Sequence, residues 1–553
     1  MDIQKNDHYE IEITGVTSEG NGVGHIGDYA VFVPDTARGE RCLIKLVQNR
    51  SSYGFGKLLQ VIEPSPNRID ADCDAYPQCG GCTYRHITYS EECAIKEQMV
   101  RDVFSRIGRI KTPVQPIVSS KRQIAYRNKA QYPFGVDREG KTICGFYARR
   151  SHRIVTCSNC ALHPPLFEQI RRTVCDLVER NHIPVYDERS HSGILRHLYL
   201  RIGEKTGEVM VCFVSAKKQP KRFIPLAEAL AKTFHQIKSI VLNVNEEKTN
   251  VILGKECFVL YGKETIVDVL GGLKFHLSPL SFYQVNRDQA EILYETALAC
   301  ASLTPNDTLL DLYCGAGTIG LCAAAHVKRV IGVEIVSDAI KNAERNAKEN
   351  GIKNASFFCA DASAAASRFA AEGVRPDVVL VDPPRKGLDE KVIQAIGRMA
   401  PERVVMVSCN PATAARDASL LQREGYAVQK IVPIDMFPRT AHVETVCLLT
   451  REKSVKSYAY VDITPSELGM GGKVKKPTYK QIQAYVLETH GLKVSPLYIA
   501  NVKDEFGLEK QFSYEDAGMS AKKRPNCPPE KRAAIIDALI HFGMLDEDAR
   551  ETE

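Results

Sequence analysis

Three chemically reactive side chains stand at the ends of apolar runs that predict β-strands. Asp382 follows the run VVLV, Cys409 follows VVMVS, and Glu444 opens the last apolar run. Ligands of open α/β sheets bind beyond the carboxyl ends of the strands, so Asp382 and Cys409 are expected to reach one crevice, together with Glu334, which ends another predicted strand. His442 and Glu444 come just before the last predicted strand. A thiolate there can act as a nucleophile, and a carboxylate can move a proton. The alternatives are a buried core cysteine for Cys409 and a solvated acid for Glu444.

If a methyl donor binds in the same crevice, a thiolate and a carboxylate there suit one particular chemistry. C5 of a pyrimidine is a weak nucleophile, but a thiolate that adds to C6 makes C5 enolate-like. Methyl transfer to C5 can then follow, and a base must remove the C5 proton before elimination frees the thiol. Cys409 and Glu444 fit these two roles. Asp382 can hydrogen-bond the general base or the amine of the methyl donor. Arg385 is placed to contact a phosphate or backbone.

The segment LLDLYCGAGTIG, residues 309–320, predicts a cofactor cradle. Gly315 and Gly317 form a tight turn between a strand and a helix, where backbone can approach a ligand closely. Glu334 ends the next predicted strand and can accept both hydroxyls of a ribose. Asp361 ends a third predicted strand and can face an adenine. The compact turn suits S-adenosylmethionine better than a dinucleotide, and the alternative is an ordinary turn with solvated acids.

Three cysteines in one Gly/Pro-rich loop have metal-ligand spacing. Cys73, Cys79 and Cys82 form C-x5-C-x2-C, which suits three corners of a [4Fe–4S] cluster with a fourth ligand from elsewhere. Zinc is the rival metal, because Cys157 and Cys160 form a separate C-x2-C pair. Structural disulfides are not expected in a reducing cytosol.

The elements that must position these residues predict a multidomain α/β protein. From about residue 290 to 450, strand-like runs alternate with helical stretches, which is typical of a parallel sheet with crossover helices. The N-terminal residues read as hairpins of a small barrel, and the C-terminal ones as a small α-rich module. The predicted parts are a barrel at 1–65, a central α+β domain with the cysteine loop at 66–275, a Rossmann-like domain at 276–452, a linker at 453–475 and a helical module at 476–550.

Composition is that of a soluble protein with a nearly balanced charge. The chain has 553 residues, 44% of them hydrophobic, and 73 basic against 67 acidic residues. It shows no apolar run long enough for a membrane helix and no secretory signal, which predicts a cytoplasmic protein without membrane contact. Residues 119–155 interleave basic residues with Tyr126, Tyr132, Phe134, Phe146 and Tyr147, a pattern that favours RNA binding. The alternative is a solvated charged face over core aromatics.

Taken together, these motifs resemble the RNA uracil-C5 methyltransferases, and specifically the iron–sulfur branch that acts on large-subunit (23S) ribosomal RNA. The resemblance covers about residues 8–450. It rests on a TRAM/OB-like barrel, C-x5-C-x2-C, SFYQVN at 281–286, DLYCGAGTIG, DPPRKG, SCNP and HVET. It implies a class I methyltransferase fold and C5-methylation of uridine.

The resemblance also implies roles for individual residues. Gln284, Tyr313, Glu334 and Asp382 are expected to bind S-adenosylmethionine, and Asp361 is a weaker expectation. Cys409 resembles the family nucleophile and Glu444 the base that takes the C5 proton. The expected cluster ligands are Cys73, Cys79, Cys82 and Cys160. Cys157 is a departure from the family pattern that leaves the fourth ligand open.

Partners follow from the same resemblance. The transfer-RNA branch usually lacks both the barrel and the cluster, which favours large-subunit ribosomal RNA, either free or in a pre-ribosomal particle. The same chemistry on transfer RNA and a non-catalytic ribosome-assembly factor are the alternatives. The module at 476–550 departs from the family and suits an RNA or a protein contact equally. A monomer is the default expectation.

Overall fold

A computed structural model of the protein describes residues 3–452, 477–508 and 527–545. The chain divides into two compact units, one ending at Lys456 and one beginning at Ser457. The predicted linker at 453–475 lies outside the described residues.

The N-terminal residues form a closed five-stranded barrel, which confirms the predicted barrel. Its strands are β1 (His8–Val16), β2 (Gly22–Ile26), β3 (Tyr29–Val33), β4 (Arg41–Asn49) and β5 (Tyr53–Glu63). Alternate residues point inward, so that Ile13, Val31 and Ile44 fill the barrel. Gly56 keeps it narrow, because a Cβ there would lie 2.8 Å from Ile44 Cδ1.

A six-stranded sheet with the order β13-β12-β11-β10-β6-β7 follows. Its strands are β6 (Lys129–Val136), β7 (Thr142–Cys144), β10 (Leu195–Ile202), β11 (Val209–Ser215), β12 (Ile237–Val244) and β13 (Glu256–Gly262). Two short hairpins accompany it, β8 (Phe146–Tyr147) with β9 (Ile154–Val155) and β14 (Ile266–Leu270) with β15 (Leu273–Leu277). Helices α2 (Pro165–Arg180) and α3 (Pro220–Thr233) pack on the sheet with Phe167 and Phe223 in a shared core.

A seven-stranded sheet carries the predicted strand ends, in the order β18-β17-β16-β19-β20-β22-β21. Its strands are β16 (Thr308–Leu312), β17 (Arg329–Glu334), β18 (Ala355–Cys359), β19 (Val378–Val381), β20 (Arg403–Ser408), β21 (Tyr426–Ile434) and β22 (Glu444–Arg451). The first five are parallel, as the alternating pattern predicts, and β21 and β22 are antiparallel additions. Neighbouring residues such as Leu309 and Leu310 enter cores on opposite faces, so both faces are covered.

Nine α-helices belong to the described residues of the first unit. They are α1 (Tyr89–Arg106), α2 (Pro165–Arg180), α3 (Pro220–Thr233), α4 (Arg287–Ala301), α5 (Thr318–Ala323), α6 (Ser337–Glu349), α7 (Ala362–Ala371), α8 (Glu390–Met399) and α9 (Pro411–Arg423). Helix α1 follows the cysteine loop, yet its Val100 and Phe104 enter the core of the seven-stranded sheet. The cysteine loop is therefore tied through α1 to the sheet that carries the reactive residues.

The second unit contains α10 (Tyr479–His490), α11 (Pro496–Glu505) and α12 (Pro529–His541) in its described residues. They share a small apolar core that includes Ile482, Ile499 and Ile535. A capping box at Thr478 and Gln481 begins α10, and Gly491 in the left-handed region ends it. Among the described helices, none has the length and apolarity required to span a membrane.

Candidate active site

Cys409, Glu444 and Asp382 meet at one edge of the seven-stranded sheet. Asp382 directly follows β19, Cys409 directly follows β20, and Glu444 is the first residue of β22. Because Ser408 pairs with Thr445 in the antiparallel ladder, Cys409 comes opposite Glu444. The topology therefore brings together the thiol and the two carboxylates that the sequence singled out.

Burial raises the pKa of all three groups. Burial, followed by the charge of Asp382, raises the pKa of Glu444 to about 8. Burial raises the pKa of Asp382 to about 7. The pKa of Cys409 is also raised, first by burial and then by the two carboxylates, while Arg385 acts in the opposite direction. The site thus holds two carboxyls that can exchange protons near neutral pH, as an acid–base site requires.

The turn that presents Cys409 is fixed by Asn410. Its side chain accepts a hydrogen bond from Ala412 N and caps α9, and its Nδ2 donates to Arg385 O at 3.0 Å. One residue therefore joins the SCNP turn to the DPPRKG loop. Cys409 stands just before the N-terminus of α9, where the helix dipole favours a thiolate against the raised pKa.

The glycine turn after β16 has the backbone that a close-fitting ligand requires. Tyr313, Gly315 and Gly317 all have positive φ, at 68°, 56° and 78°. Gly315 N donates to Glu334 Oε2 at 3.2 Å, and Val336 N donates to Glu334 Oε1 at 2.9 Å. Ile335 and Val336 next to this carboxylate expose 63% and 52% of their surface. A carboxylate beside exposed apolar side chains fits a ribose with an attached aromatic ring.

The other two predicted cofactor residues lie in different environments. Gln284 is buried, and its backbone carbonyl accepts a hydrogen bond from Asn128 Nδ2 at 2.9 Å. Asp361 is exposed and caps α7, because its Oδ1 accepts from Ser363 N and Ala364 N. Asp361 therefore has a structural role that the sequence analysis did not anticipate.

A buried ion-pair network that the sequence analysis missed fixes the loop before Glu444. Lys96 of α1 is fully buried, and its Nζ donates to Glu92 Oε1 and Asp435 Oδ1, each at 2.7 Å. It also donates to Phe437 O at 3.2 Å. The spacing of Glu92 and Lys96 on one helix is visible in the sequence, but an exposed pair has the same spacing. Their burial depends on β21, which was not predicted.

Arg439 connects the same loop to the residues that directly follow Cys82, which are called the cysteine segment below. Its backbone N donates to Glu92 Oε1 at 2.7 Å, its carbonyl accepts from Thr83 N at 2.8 Å, and its Nη1 donates to Ile87 O at 3.0 Å. His442 follows three residues later, with Nε2 3.5 Å from Arg385 Nη2. Burial of its ring and nearby cations lower the pKa of His442 to about 4, so it is neutral at pH 7.

The predicted cysteines line one cavity of about 70 Å³, called the thiol cavity below. Its cysteines are Cys73, Cys79, Cys82, Cys157 and Cys160. Two of the thiols accept hydrogen bonds, Cys79 from Gly81 N at 3.4 Å and Cys82 from Arg85 Nε at 3.3 Å.

Charge in the wall of this cavity favours an anionic occupant. Arg85 and Arg127 both line it. Arg85 Nη2 and Arg127 Nε are buried with no hydrogen-bond partner among the residues that the structure describes. Orphaned buried donors around a set of thiols fit a negatively charged metal–sulfur group.

Comparison with known proteins identifies the family. The sequence profile of the family described as tRNA (Uracil-5-)-methyltransferase matches residues 110–452, and the TRAM domain profile matches residues 4–59. A relative in Halalkalibacterium halodurans, named an uncharacterized RNA methyltransferase, is 44% identical over 81% of this chain and 98% of its own length. One in Clostridium tetani with the same name is 40% identical over 81% of this chain and 97% of its own.

The chain belongs to the tRNA (uracil-5-)-methyltransferase family.

A solved structure of similar fold supports the assignment and the cofactor. The crystal structure of the Pyrococcus abyssi tRNA (uracil-54, C5)-methyltransferase, in complex with S-adenosyl-L-homocysteine, is 28% identical with a TM-score of 0.64. It covers 80% of this chain and 99% of its own. The protein is therefore an enzyme, an S-adenosylmethionine-dependent RNA methyltransferase of the uracil-5 type. Its N-terminal barrel is a TRAM domain.

The predicted stacking surface of this uracil-5 methyltransferase needs one correction. Tyr126, Tyr132 and Phe134 expose only 0%, 2% and 5% of their surface, so they are core residues and cannot stack on bases. Tyr132 and Phe134 alternate on β6 toward the core of the six-stranded sheet. Phe146 and Tyr147 are half-buried and remain accessible. The sequence could not separate these sets, because a strand with one buried face also alternates aromatic and basic residues.

Proposed function

We propose that this enzyme methylates C5 of uridine in large-subunit ribosomal RNA, with Cys409 as the nucleophile and Glu444 as the base. The observation that carries the proposal is the meeting of Cys409, Glu444 and Asp382 at the ends of β20, β22 and β19. The family supplies the reaction type, and this geometry supplies a residue for each role that the reaction requires.

The covalent steps belong to Cys409. Its thiolate adds to C6 of the uracil, and the electron pair of the C5–C6 double bond moves onto C5 and its neighbouring carbonyl. Arg385 favours the thiolate, since it lowers the pKa of Cys409 against the carboxylates. After C5 has gained its methyl group, the C6–S bond breaks and the thiolate leaves.

The proton step belongs to Glu444. In its ionised form, its carboxylate removes the C5 proton, and the electron pair of that C–H bond restores the C5–C6 double bond as the thiolate departs. A base with a pKa of about 8 holds the proton well after taking it. Asp382 contributes to the raised pKa of Glu444. Its carboxylate can also accept a hydrogen bond from the amine of the cofactor.

Six residues are proposed to hold S-adenosylmethionine, which supplies an electrophilic methyl group. Glu334 would accept the ribose hydroxyls and Gly315 would allow close approach of the backbone. The full set is Gln284, Tyr313, Gly315, Glu334, Asp361 and Asp382. Because Asp361 caps α7, only part of its carboxylate is available for a ligand.

A [4Fe–4S] cluster is proposed in the thiol cavity, on Cys73, Cys79, Cys82 and Cys160. The orphaned donors of Arg85 and Arg127 support it, because four thiolates and a cluster carry net negative charge. Its role is structural, since methyl transfer moves electron pairs and needs no redox step. Through Thr83, Ile87 and Arg439, an ordered cysteine segment would hold the loop that leads to Glu444.

Transfer RNA is a second candidate substrate, and one observation favours it. The Pyrococcus abyssi enzyme is named for tRNA uracil-54, and it resembles this chain over 99% of its own length. A match of that extent weakens the argument that this architecture points to ribosomal RNA.

The deciding experiment offers both substrates to one preparation. Unmodified large-subunit ribosomal RNA and unmodified transfer RNA are incubated with methyl-labelled S-adenosylmethionine, and the products are digested to nucleosides. We expect labelled 5-methyluridine from ribosomal RNA only. Label in transfer RNA alone would transfer the assignment to the second candidate. A C409S variant serves as the blank in both arms.

A further inference from the structure

The thiol cavity contains one cysteine more than a four-cornered cluster can use. Cys157 lies with its Sγ 4.0 Å from Cys73 Sγ. Asp74 Oδ1 is 3.3 Å from the same Cys157 Sγ. The donor atoms of Cys73, Asp74 and Cys157 all lie within 4.8 Å of one another, the spacing of ligands around a single ion.

We propose that Cys73, Cys157 and Asp74 form a mononuclear site for a thiophilic divalent ion such as Zn²⁺ or Fe²⁺. Two thiolates bound at about 2.3 Å to a tetrahedral zinc lie about 3.8 Å apart, close to the separation seen here. A carboxylate oxygen is a common third ligand, and water completes the set. The proposal concerns a single ion, which differs from the cluster proposed on Cys73, Cys79, Cys82 and Cys160 but shares Cys73 with it.

The carboxylate of Asp74 is oriented before any ion arrives. Its Oδ2 accepts a hydrogen bond from Ser158 N at 3.2 Å and another from Ser158 Oγ. Oδ1 is thereby turned toward Cys157. Hydrogen bonds of this kind fix the direction of a ligand and are typical of metal sites.

The position of the three residues gives the ion a route in. Cys157 is buried, Cys73 is half-buried, and Asp74 is exposed to solvent. An ion can therefore meet the carboxylate first and then the two thiols. The remaining thiols have other contacts, since Cys160 Sγ lies 3.2 Å from His163 Nδ1 and Cys82 Sγ accepts from Arg85.

Sharing of Cys73 makes the single ion and the cluster mutually exclusive, a step that rests on the proposed cluster. Four thiolates hold the cluster, so Cys73 must leave the ion when the cluster is assembled. The single ion would then occupy the chain before assembly and would keep the segments around Cys73 and Cys157 together.

The test uses Co²⁺ and Zn²⁺ on the full-length chain, prepared without oxygen and free of iron. Wild-type protein should bind one Co²⁺ with thiolate-to-cobalt charge-transfer absorption, and Zn²⁺ should displace it. C157A and D74N should weaken Co²⁺ binding by about 10- to 100-fold, whereas C160A should leave it unchanged.

Reconstitution of the same variants with iron and sulfide should give the opposite pattern. C157A should assemble the cluster with wild-type iron and sulfide content, and C160A should fail to do so. Equal loss of Co²⁺ binding in C157A and C160A, or none in C157A, would overturn the mononuclear site. Failure of every variant and of wild type to assemble a cluster would refute the cluster and leave the cobalt result standing.

Discussion

At the residue scale, the active site concentrates acidic groups where water is scarce. Glu444 exposes 3% of its surface, and Asp382 raises its pKa further by repulsion. Such a site is unfavourable for the fold on its own. Positive charge on a bound cofactor or substrate would offset the repulsion between the two carboxylates. Carboxyl groups with perturbed pKa values are common in catalytic pockets.

The raised pKa of Glu444 predicts how stability depends on pH. Between pH 4.5 and about 8 the folded chain binds more protons at Glu444 than the unfolded chain does, so wild type loses stability as pH rises through this window. The variant E444Q lacks this titration. As pH rises from 5 to 9, the unfolding free energy of E444Q should therefore increase by on the order of 2–4 kcal/mol relative to that of wild type.

Urea unfolding at the two pH values measures this difference. E246Q is the matched control, because Glu246 is exposed, and it should track wild type at both values. A wild-type-minus-E444Q difference that stays constant with pH would show that Glu444 titrates normally.

At the scale of elements, the positions of the reactive residues were predictable from the chain. Each of Asp382, Cys409 and Glu444 borders an apolar run that proved to be a strand. Strand β21 was missed because YAVQKIVPI contains a proline and lacks strict alternation. Helix α11 was missed as well, because a ten-residue helix begun by Ser495 and Pro496 has a weak apolar pattern.

What the sequence could not supply was the long-range partnership of α1. Lys96 and Asp435 are 339 positions apart and meet only because β21 packs beside α1. Cys157 and Cys160 also reach the loop of Cys73 through tertiary structure, and the meeting of Cys160 with that loop was expected from the family resemblance, not from any local pattern. Local patterns report local elements, and buried ion pairs of this kind follow from the assembled fold.

The element-scale prediction concerns Lys96. The variant K96M removes the cation between two buried carboxylates and leaves them facing each other, which should cost about 3–5 kcal/mol of unfolding free energy. R101M on the same helix removes a partly exposed pair with Glu97 and should cost less than about 1 kcal/mol. Urea unfolding compares the two. A K96M protein as stable as R101M would contradict the proposed anchoring of the loop before Glu444.

At the scale of the whole molecule, the division into two compact units has a direct consequence. The first unit contains the barrel, both large sheets, the thiol cavity and the candidate active site. Each unit has its own apolar core among the described residues. Units with separate cores usually fold independently.

A chain ending at residue 456 should therefore fold and bind S-adenosylmethionine as the full chain does. Its thermal unfolding should retain the transition of the first unit, and calorimetric titration should give a dissociation constant within about threefold of that of the full chain. Loss of the transition, or aggregation of the shortened chain, would show that the helical unit is needed for the fold of the first.

The central claim is that Cys409 forms a covalent bond to C6 of a uracil. It is tested most directly with RNA containing 5-fluorouridine, since fluorine at C5 cannot be removed by Glu444 and the adduct is trapped after methyl transfer. Wild type and C257A, a variant at an exposed cysteine of β13, should give an RNA–protein band that resists denaturation. C409A should give none, and mass spectrometry should locate the bond at Cys409. An adduct of normal yield in C409A would contradict the account.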